Sequence, residues 1–241
     1  MLKSTKELYG TRLGASDGDI GHVKDFYFDD KNWVVRYLIA DTGSWLAGRL
    51  VLLSPHAFSR FGMNADLLKV NLTKSQIENS PPIDSHKPVS RQYEVDYYNY
   101  YGWPAYWNGV GMWGMGAYPL VVPPSKTEID DRQPFHHRQD KHLQSARAIT
   151  GYAIQAVDGQ IGDVSALMID DRSWAVPEFA VKAGHWFSGK EVLVSTKSVT
   201  RISYEESKVF VSLTMADIER TAPNDLAIAD SGPFGATGFH D

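Results

Sequence analysis

Asp17-Gly18-Asp19-Ile20-Gly21-His22-Val23 recurs 141 residues later as Asp158-Gly159-Gln160-Ile161-Gly162-Asp163-Val164. The match extends without a gap from residues 10–82 onto residues 151–223, and about a third of the paired positions are identical. The chain is therefore a tandem duplication. Two long copies are not a solenoid, so we expect each copy to form a small domain with its own core.

Each copy has the turn and strand signals of a small β domain. Asp17-Gly18 and Asp158-Gly159 lie between apolar segments, which is the strongest short signal for a β-hairpin. A Thr that can cap a short helix follows the last strand of each copy, at Thr73 and Thr214. A sheet of this size without a long helix buries its apolar face best by closing on itself. The pattern predicts an all-β protein with strands, in the first copy, at residues 11–16, 20–28, 33–41, 48–53 and 67–72.

Two further motifs follow the Asp-Gly turn in fixed register. They are Asp29 to Trp33 and Trp45 to Leu52, repeated as Asp170 to Trp174 and Trp186 to Leu193. With the Asp-Gly-x-Ile-Gly-x-Val run, this pattern resembles the PRC-barrel domain of the photosynthetic reaction centre H subunit and of a ribosome-maturation factor. The resemblance implies two small antiparallel PRC-type β-barrels in tandem. It further implies an interaction or regulatory module without shared catalytic residues, linked to a membrane electron-transfer or stress system.

We interpret the repeated motif residues as structural. Glycines at the fifth motif position, Gly21 and Gly162, fit bulges or close backbone approach. Paired turn carboxylates more often cap backbone amides than bind a metal. The two tryptophans that follow these carboxylates are expected in the core. The set comprises Asp17, Gly18, Gly21, Asp29, Asp30, Trp33, Asp158, Gly159, Gly162, Asp170, Asp171 and Trp174.

The segment between the copies is rich in aromatic residues. Ten of the 32 residues from Arg91 to Val122 are Tyr or Trp, so we expect this segment to be buried against a surface. Its tyrosines begin with helical spacing, and Gly109 to Gly116 is typical of an adaptable contact loop. It could join the two barrels, dimerise the chain or bind a foreign partner. The interaction candidates, which include two loop tryptophans, are Trp45, Trp186, Tyr97, Tyr100, Tyr101, Trp103, Tyr106, Trp107 and Trp113.

These signals divide the chain into four parts. We predict a first barrel repeat at 1–82, an aromatic then polar linker at 83–145, a second repeat at 146–223 and a flexible tail at 224–241. Residues 123–141 are expected to be a flexible connector. The histidines His136, His137 and His142 in this region lack partners at ligand spacing, so no metal or other cofactor is expected.

Composition narrows the possible functions. The chain contains no cysteine and has a net charge of -5 with scattered Lys and Arg, which argues against disulfides, thiolate chemistry and a large nucleic-acid footprint. No apolar run is long enough to span a bilayer. We expect a soluble, cytoplasmic protein without membrane insertion.

The sequence contains no motif of a known catalytic constellation. It favours a non-enzymatic interaction scaffold or regulatory adaptor that binds a protein partner or a second copy of itself. An alternative is a small-molecule carrier or sensor with an apolar ligand between the barrels, near Trp45, Trp186, Tyr100 and Trp103. A weaker alternative is a factor associated with RNA or the ribosome.

Overall fold

The computed structural model describes residues 1–58, 66–82, 89–120, 143–184 and 191–221. Trp186, the connector at 123–141 and the tail at 224–241 lie outside these ranges, so the expectations for them stay predictions. No helix in the described ranges is long and apolar enough to cross a membrane.

The chain is mostly β-sheet, with short helices at corresponding places in the two repeats. Repeat one and the segment after it contain β1 (Leu2–Ser4), α1 (Thr5–Leu8), β2 (Arg12–Ala15), β3 (Gly18–Asp29), β4 (Val34–Asp41), β5 (Leu50–Leu53), β6 (Leu67–Lys69), α2 (Lys74–Glu78) and α3 (Arg91–Tyr101). Repeat two contains β7 (Leu143–Ser145), α4 (Ala146–Ile149), β8 (Ala153–Gln155), β9 (Gln160–Asp170), β10 (Glu178–Ala183), β11 (Glu191–Ser195), β12 (Val199–Ser203), β13 (Lys208–Val211) and α5 (Met215–Thr221).

The predicted strands of repeat one are present at nearly the predicted positions. The Asp-Gly turn joins β2 to β3, and α2 begins after Thr73 with a complete capping box to Gln76. The same bulge interrupts the pairing of β3 with β4 at Lys24 and of β9 with β10 at Ser165. The duplication therefore preserves strand irregularities as well as strands.

The strands form two open sheets, so the expectation of two closed antiparallel barrels is wrong for the described residues. One sheet has the order β5-β4-β3-β2-β6 and the other β11-β10-β9-β8-β13-β12. The chain leaves β5 through a 3-10 turn, Pro55–Ala57, and, among the described residues, reaches the other edge of its sheet by a single bridge, Phe58 to Val70. One such bridge does not make a continuous ladder. Pairing is also not wholly antiparallel, because β2–β6 and β8–β13 are parallel.

Each repeat donates its first strand to the other repeat's sheet. β1 pairs antiparallel with β9, and β7 pairs antiparallel with β3 in the equivalent register. Leu2 opposes Asp170, just as Leu143 opposes Asp29. The arm formed by β1 and α1 thus lies on repeat two, and the arm formed by β7 and α4 lies on repeat one.

The two repeats also meet at their equivalent turns. Val34 and Ala175, which are equivalent positions, form a bridge. Val35 N–H donates to the Trp174 carbonyl at 2.8 Å, and Val176 N–H donates to the Trp33 carbonyl at 2.7 Å. Both tryptophans have positive φ, 53° and 60°, which is unusual for a bulky residue. The reciprocal contacts relate the repeats by an approximate two-fold axis and explain why both copies keep this turn.

The core is continuous between the repeats. Trp33 stacks on Phe28 of its own repeat and meets Phe179 of the other repeat edge-on at 5.1 Å. Trp174 is buried and contacts Phe58 at 5.2 Å. Each tryptophan therefore packs across the junction rather than only inside its own repeat.

Candidate functional site

The aromatic segment lies against repeat one, where α3 covers the edge strand β5. Tyr97 is fully buried, and its hydroxyl accepts from Ser54 N–H at 3.1 Å and donates to the Leu52 carbonyl at 3.0 Å. An exposed sheet edge presents unpaired backbone groups. Because Tyr97 binds two of these groups, α3 completes the edge that would otherwise be open.

A buried carboxylate fixes α3 to the sheet. Glu94 has no solvent exposure, and it accepts hydrogen bonds from the hydroxyls of Tyr37 at 3.0 Å and Tyr106 at 2.8 Å. Arg91 pairs with the other carboxylate oxygen at 2.9 Å. A buried charge is tolerated when it is paired and hydrogen-bonded. Glu94 thus joins β4, α3 and the loop after α3 in one polar network.

Arg36 is a second buried charge on the same strand. Its side chain is 2% exposed, and its position on β4 is skipped in the pairing with β3. The guanidinium donates to the Met112 carbonyl at 2.6 Å and to Asp29 at 3.4 Å, and Nε has no hydrogen-bond partner within the described residues. Burial raises the pKa of Asp29, but the hydrogen bonds from Asn32 and the charge of Arg36 outweigh it and lower this pKa. Arg36 therefore ties the loop to repeat one.

The aromatic rings of the segment enclose His56. Its ring stacks on Trp103 and meets Trp113 edge-on at 5.2 Å, and Nδ1 lies 3.1 Å from the Ser54 hydroxyl. Burial lowers the pKa of His56 to about 4, with a further contribution from the charge of Arg36. Ser54 and His56 are both inaccessible to solvent, so this neighbouring pair is part of the packing and offers no surface to a substrate.

A cavity of about 300 Å³ remains between the aromatic segment and repeat one. Side chains of the β3–β4 turn, the start of α3 and the loop after α3 surround it. Its lining residues are Asp29, Lys31, Asn32, Arg36, Arg91, Tyr106, Trp107, Gly109, Val110 and Gly111.

The tip of the loop after α3 carries exposed apolar side chains. Val110 and Met115 are almost fully exposed at 108% and 94%, and Tyr118 and Leu120 are also exposed. The middle of the loop is anchored to the protein, because the Trp113 indole N–H donates to the Ser173 carbonyl of repeat two at 2.8 Å and the Met112 carbonyl accepts from Arg36 at 2.6 Å. Gly111 also pairs with Gly114 within the loop. The apolar tip is therefore presented by an anchored loop.

The predicted interaction residues divide by exposure. Tyr97, Trp103, Tyr106 and Trp113 are buried, Trp45, Tyr101 and Trp107 are partly buried, and Tyr100 is exposed. Trp45 packs under the Lys74 ammonium at 4.5 Å. Most of these rings bind the segment to repeat one, and Trp113 alone among the nine makes a described hydrogen bond to repeat two.

Four of the predicted motif carboxylates accept hydrogen bonds from backbone amides. Asp17 accepts from Lys74 N–H and Asp158 from Met215 N–H, each at 2.8 Å, so both fix the helix that ends their repeat. Asp29 and Asp170 accept amides of their own turns. Within the described residues, no group of three or more potential ligands is placed to hold a metal ion.

Asp30 and Asp171, the second carboxylates of the pairs, reach the opposite repeat. Asp30 accepts from the Tyr204 hydroxyl at 2.6 Å, and Asp171 accepts from the amino group of Met1 at 2.6 Å.

The glycines of the repeated motif lie where a side chain would clash with neighbouring atoms or where the backbone has a positive φ. A Cβ atom on Gly21 would lie 2.0 Å from the Asp41 carbonyl oxygen, and one on Gly162 would lie 2.1 Å from that of Lys182. Gly18 has a φ of 149°, and a Cβ on Gly159 would meet the sulfur of Met215 at 2.8 Å.

Several residues of the site were missed by the sequence reasoning. Arg36 had a usable signal, because it is the single charge inside an otherwise apolar strand pattern. Arg91 and Glu94 are spaced as an i,i+3 ion pair, but their burial depends on tertiary packing. The exposed tip residues Val110, Met115 and Leu120 carried no aromatic signal and were not selected.

No protein-family model matches the chain, and no curated protein matches it.

Proposed function

We propose that this protein is a non-enzymatic interaction scaffold of the PRC-barrel type, whose contact surface is the apolar tip of the loop at residues 109–120. The observation that carries this proposal is the contrast within the aromatic segment. Most of its large rings are buried or partly buried against repeat one, whereas Val110, Met115, Tyr118 and Leu120 are exposed on an anchored loop. A contiguous patch of exposed apolar side chains marks an interaction site, and we infer such a patch from the closeness of these four residues in the sequence.

The mutual exchange of strands supports the scaffold part of the proposal. Two repeats tied by β1, β7 and the Val34–Ala175 bridge hold a loop from the linker in a fixed position on both repeats. A rigid base reduces the ordering penalty of binding. The repeated motifs that resemble the PRC-barrel domain support an adaptor role, and a link to a membrane electron-transfer or stress system is the process to test first.

The described cavity does not favour a carrier of apolar ligands between the repeats. It lies against repeat one alone, and its lining includes three cationic side chains. An RNA-associated role gains no support from a protein with a net charge of -5.

Site-specific photo-crosslinking tests the proposal. A benzoylphenylalanine at position 115 in the native host should capture a second polypeptide, and Leu120→Ser in the same chain should reduce that capture at least threefold. The same probe at Val157, which is 71% exposed on repeat two, is the matched control. Capture of the chain itself would identify self-association as the contact. Equal capture from positions 115 and 157, or none from 115, would contradict the proposal.

A further inference from the structure

The cavity beside Arg36 differs in chemistry from the apolar tip of the loop. It is about 300 Å³, at the lower end of the range for small-molecule sites. The turn after β3 supplies Lys31 and Asn32, β4 supplies Arg36, and the first residue of α3 supplies Arg91. Residues 109–111 complete the lining. Sequence segments that are far apart therefore bring three cationic side chains to one pocket, which is partly open to solvent.

The carboxylates near the cavity do not balance these cations. Arg91 is paired with Glu94 at 2.9 Å, and Arg36 has only a long contact of 3.4 Å to Asp29. Asp29 itself is engaged by Asn32 Nδ2 at 2.7 Å and by Lys31 N–H at 2.9 Å. Among the residues that the structure describes, three cations face two carboxylates, which leaves one excess positive charge at the site.

Aromatic rings hold both guanidiniums in place. The Tyr106 ring centroid lies 3.9 Å from Arg36 Cζ and 5.4 Å from Arg91 Cζ, and Trp107 lies 4.4 Å from Arg91 Cζ. Such contacts fix the planar groups without neutralising them. A guanidinium held in a fixed orientation is suited to bidentate recognition of a carboxylate or phosphate.

The second repeat lacks this arrangement. Pro177 stands at the position equivalent to Arg36, Ser173 at that of Asn32 and Arg172 at that of Lys31. Pro177 lies just before β10, and the strand pairing there proceeds without a buried cation. The repeat can therefore fold without an arginine at this position. Replacing a buried ion pair by apolar side chains is often neutral or stabilising, so the fold of the repeat does not by itself require Arg36, which leaves room for a role in ligand binding beside its contacts to the loop.

We propose that this cavity binds a small anion through its carboxylate or phosphate group, held by Lys31, Arg36 and Arg91 between the β3–β4 turn and the aromatic segment. The volume of about 300 Å³ limits the ligand to a small molecule. Val110 belongs both to the cavity lining and to the apolar tip, but the anion is held by the three cationic side chains, so its binding does not depend on the scaffold proposal.

Titration calorimetry on the full chain tests the proposal, with acetate and inorganic phosphate as separate probes at constant ionic strength in chloride. We expect saturable binding of at least one probe with a Kd below roughly 10 mM. Lys31→Gln should weaken it about tenfold, the effect of losing one charge-assisted contact. Arg172→Gln removes the same charge from the equivalent position of repeat two and should leave the affinity unchanged. Acetate or phosphate preference decides between a carboxylate and a phosphate ligand.

A second variant separates binding from folding. Arg91→Lys keeps the charge at the start of α3 but removes the planar fork, so it should weaken binding at least threefold while the circular dichroism spectrum and the unfolding midpoint stay near those of the wild type. Absence of saturable binding for both probes would overturn the proposal. So would equal losses from Lys31→Gln and Arg172→Gln, or full affinity in a folded Arg91→Lys protein.

Discussion

At the residue scale, the equivalent bulges of β3 and β9 differ in the group that accepts a hydrogen bond from the backbone N–H after the bulge. The backbone N–H after the bulge needs an acceptor in both repeats. Phe26 N–H donates to its neighbour Asp25 at 2.7 Å, whereas Leu167 N–H donates to the hydroxyl of Thr5, on the arm from the other repeat, at 3.1 Å. Asp25 in turn accepts from the Ser145 hydroxyl at 2.5 Å and Arg147 N–H at 3.1 Å. Both bulges therefore help to hold an exchanged arm.

Replacing Thr5 by Val should destabilise the protein, because the Leu167 N–H loses its hydrogen-bond acceptor. Thr5 is fully buried and Val has nearly the same shape, so the change leaves the Leu167 N–H unsatisfied. We expect a loss of about 1–3 kcal/mol in the free energy of unfolding, measured by urea denaturation. Thr5→Ser keeps the hydroxyl and is the control. A Thr5→Val protein as stable as Thr5→Ser would contradict this account.

His56 makes stability depend on pH. Its pKa is about 4 in the folded chain, below the ordinary value of 6.5, so the unfolded chain binds more protons between these values. The contribution of His56 to the free energy of unfolding is complete above pH 6.5, and it is lost as the pH falls towards 4. The full shift corresponds to about 3 kcal/mol.

The histidine contribution can be isolated with His56→Phe, which keeps the ring contacts to Trp103 and Trp113. The free energy of unfolding of this variant should fall less between pH 6.5 and pH 4 than that of the wild type. His22→Gln, a change at an exposed histidine, is the control for the loss of one imidazole. An unchanged slope in His56→Phe would show that other groups cause the loss.

At the scale of elements, the sequence predicts the parts that depend on local pattern. The hairpin of β2 and β3 follows from the Asp-Gly turn, and α3 follows from tyrosine spacing, although it ends at Gly102 in a left-handed conformation. The exchange of β1 and β7 was not predictable in this way. Each strand has three residues, too few to show alternation, and its partner is distant in the chain. The sequence match at a shift of 141 residues does continue back to Leu2 and Ser4. This match shows that the arm is part of the duplication but does not show which sheet it joins.

Replacing Gly21 by Ala tests the close approach of β3 to Asp41, at the end of β4. An Ala Cβ there would lie 2.0 Å from a backbone oxygen, with φ at 120°, so the strands must separate. We expect Gly21→Ala to lower the free energy of unfolding by about 3 kcal/mol or more. Gly10→Ala has a positive φ of 79° but open space around the Cβ, and should cost only about 1 kcal/mol. Similar losses for both variants would contradict the role of close contact.

At the scale of the whole molecule, reciprocal exchange makes two repeats into one folding unit. The contacts between repeats include two strand pairings, the Val34–Ala175 bridge and the hydrogen bond from Tyr204 to Asp30. This arrangement resembles a dimer in which each subunit lends its first strand to the other. The aromatic segment then covers one exposed edge, β5, and makes the molecule asymmetric. The proposed apolar contact surface and anion site both lie on that asymmetric side.

Hydrogen exchange of the full chain across a urea series tests most directly whether the two repeats unfold as one cooperative unit. The amides of β3 and β4 report on repeat one, and those of β9 and β10 report on repeat two. If strand exchange joins the repeats, both sets lose protection at the same urea concentration in a single cooperative transition. Loss of protection in β9 and β10 while β3 and β4 remain protected, or the reverse, would show that the repeats are independent domains.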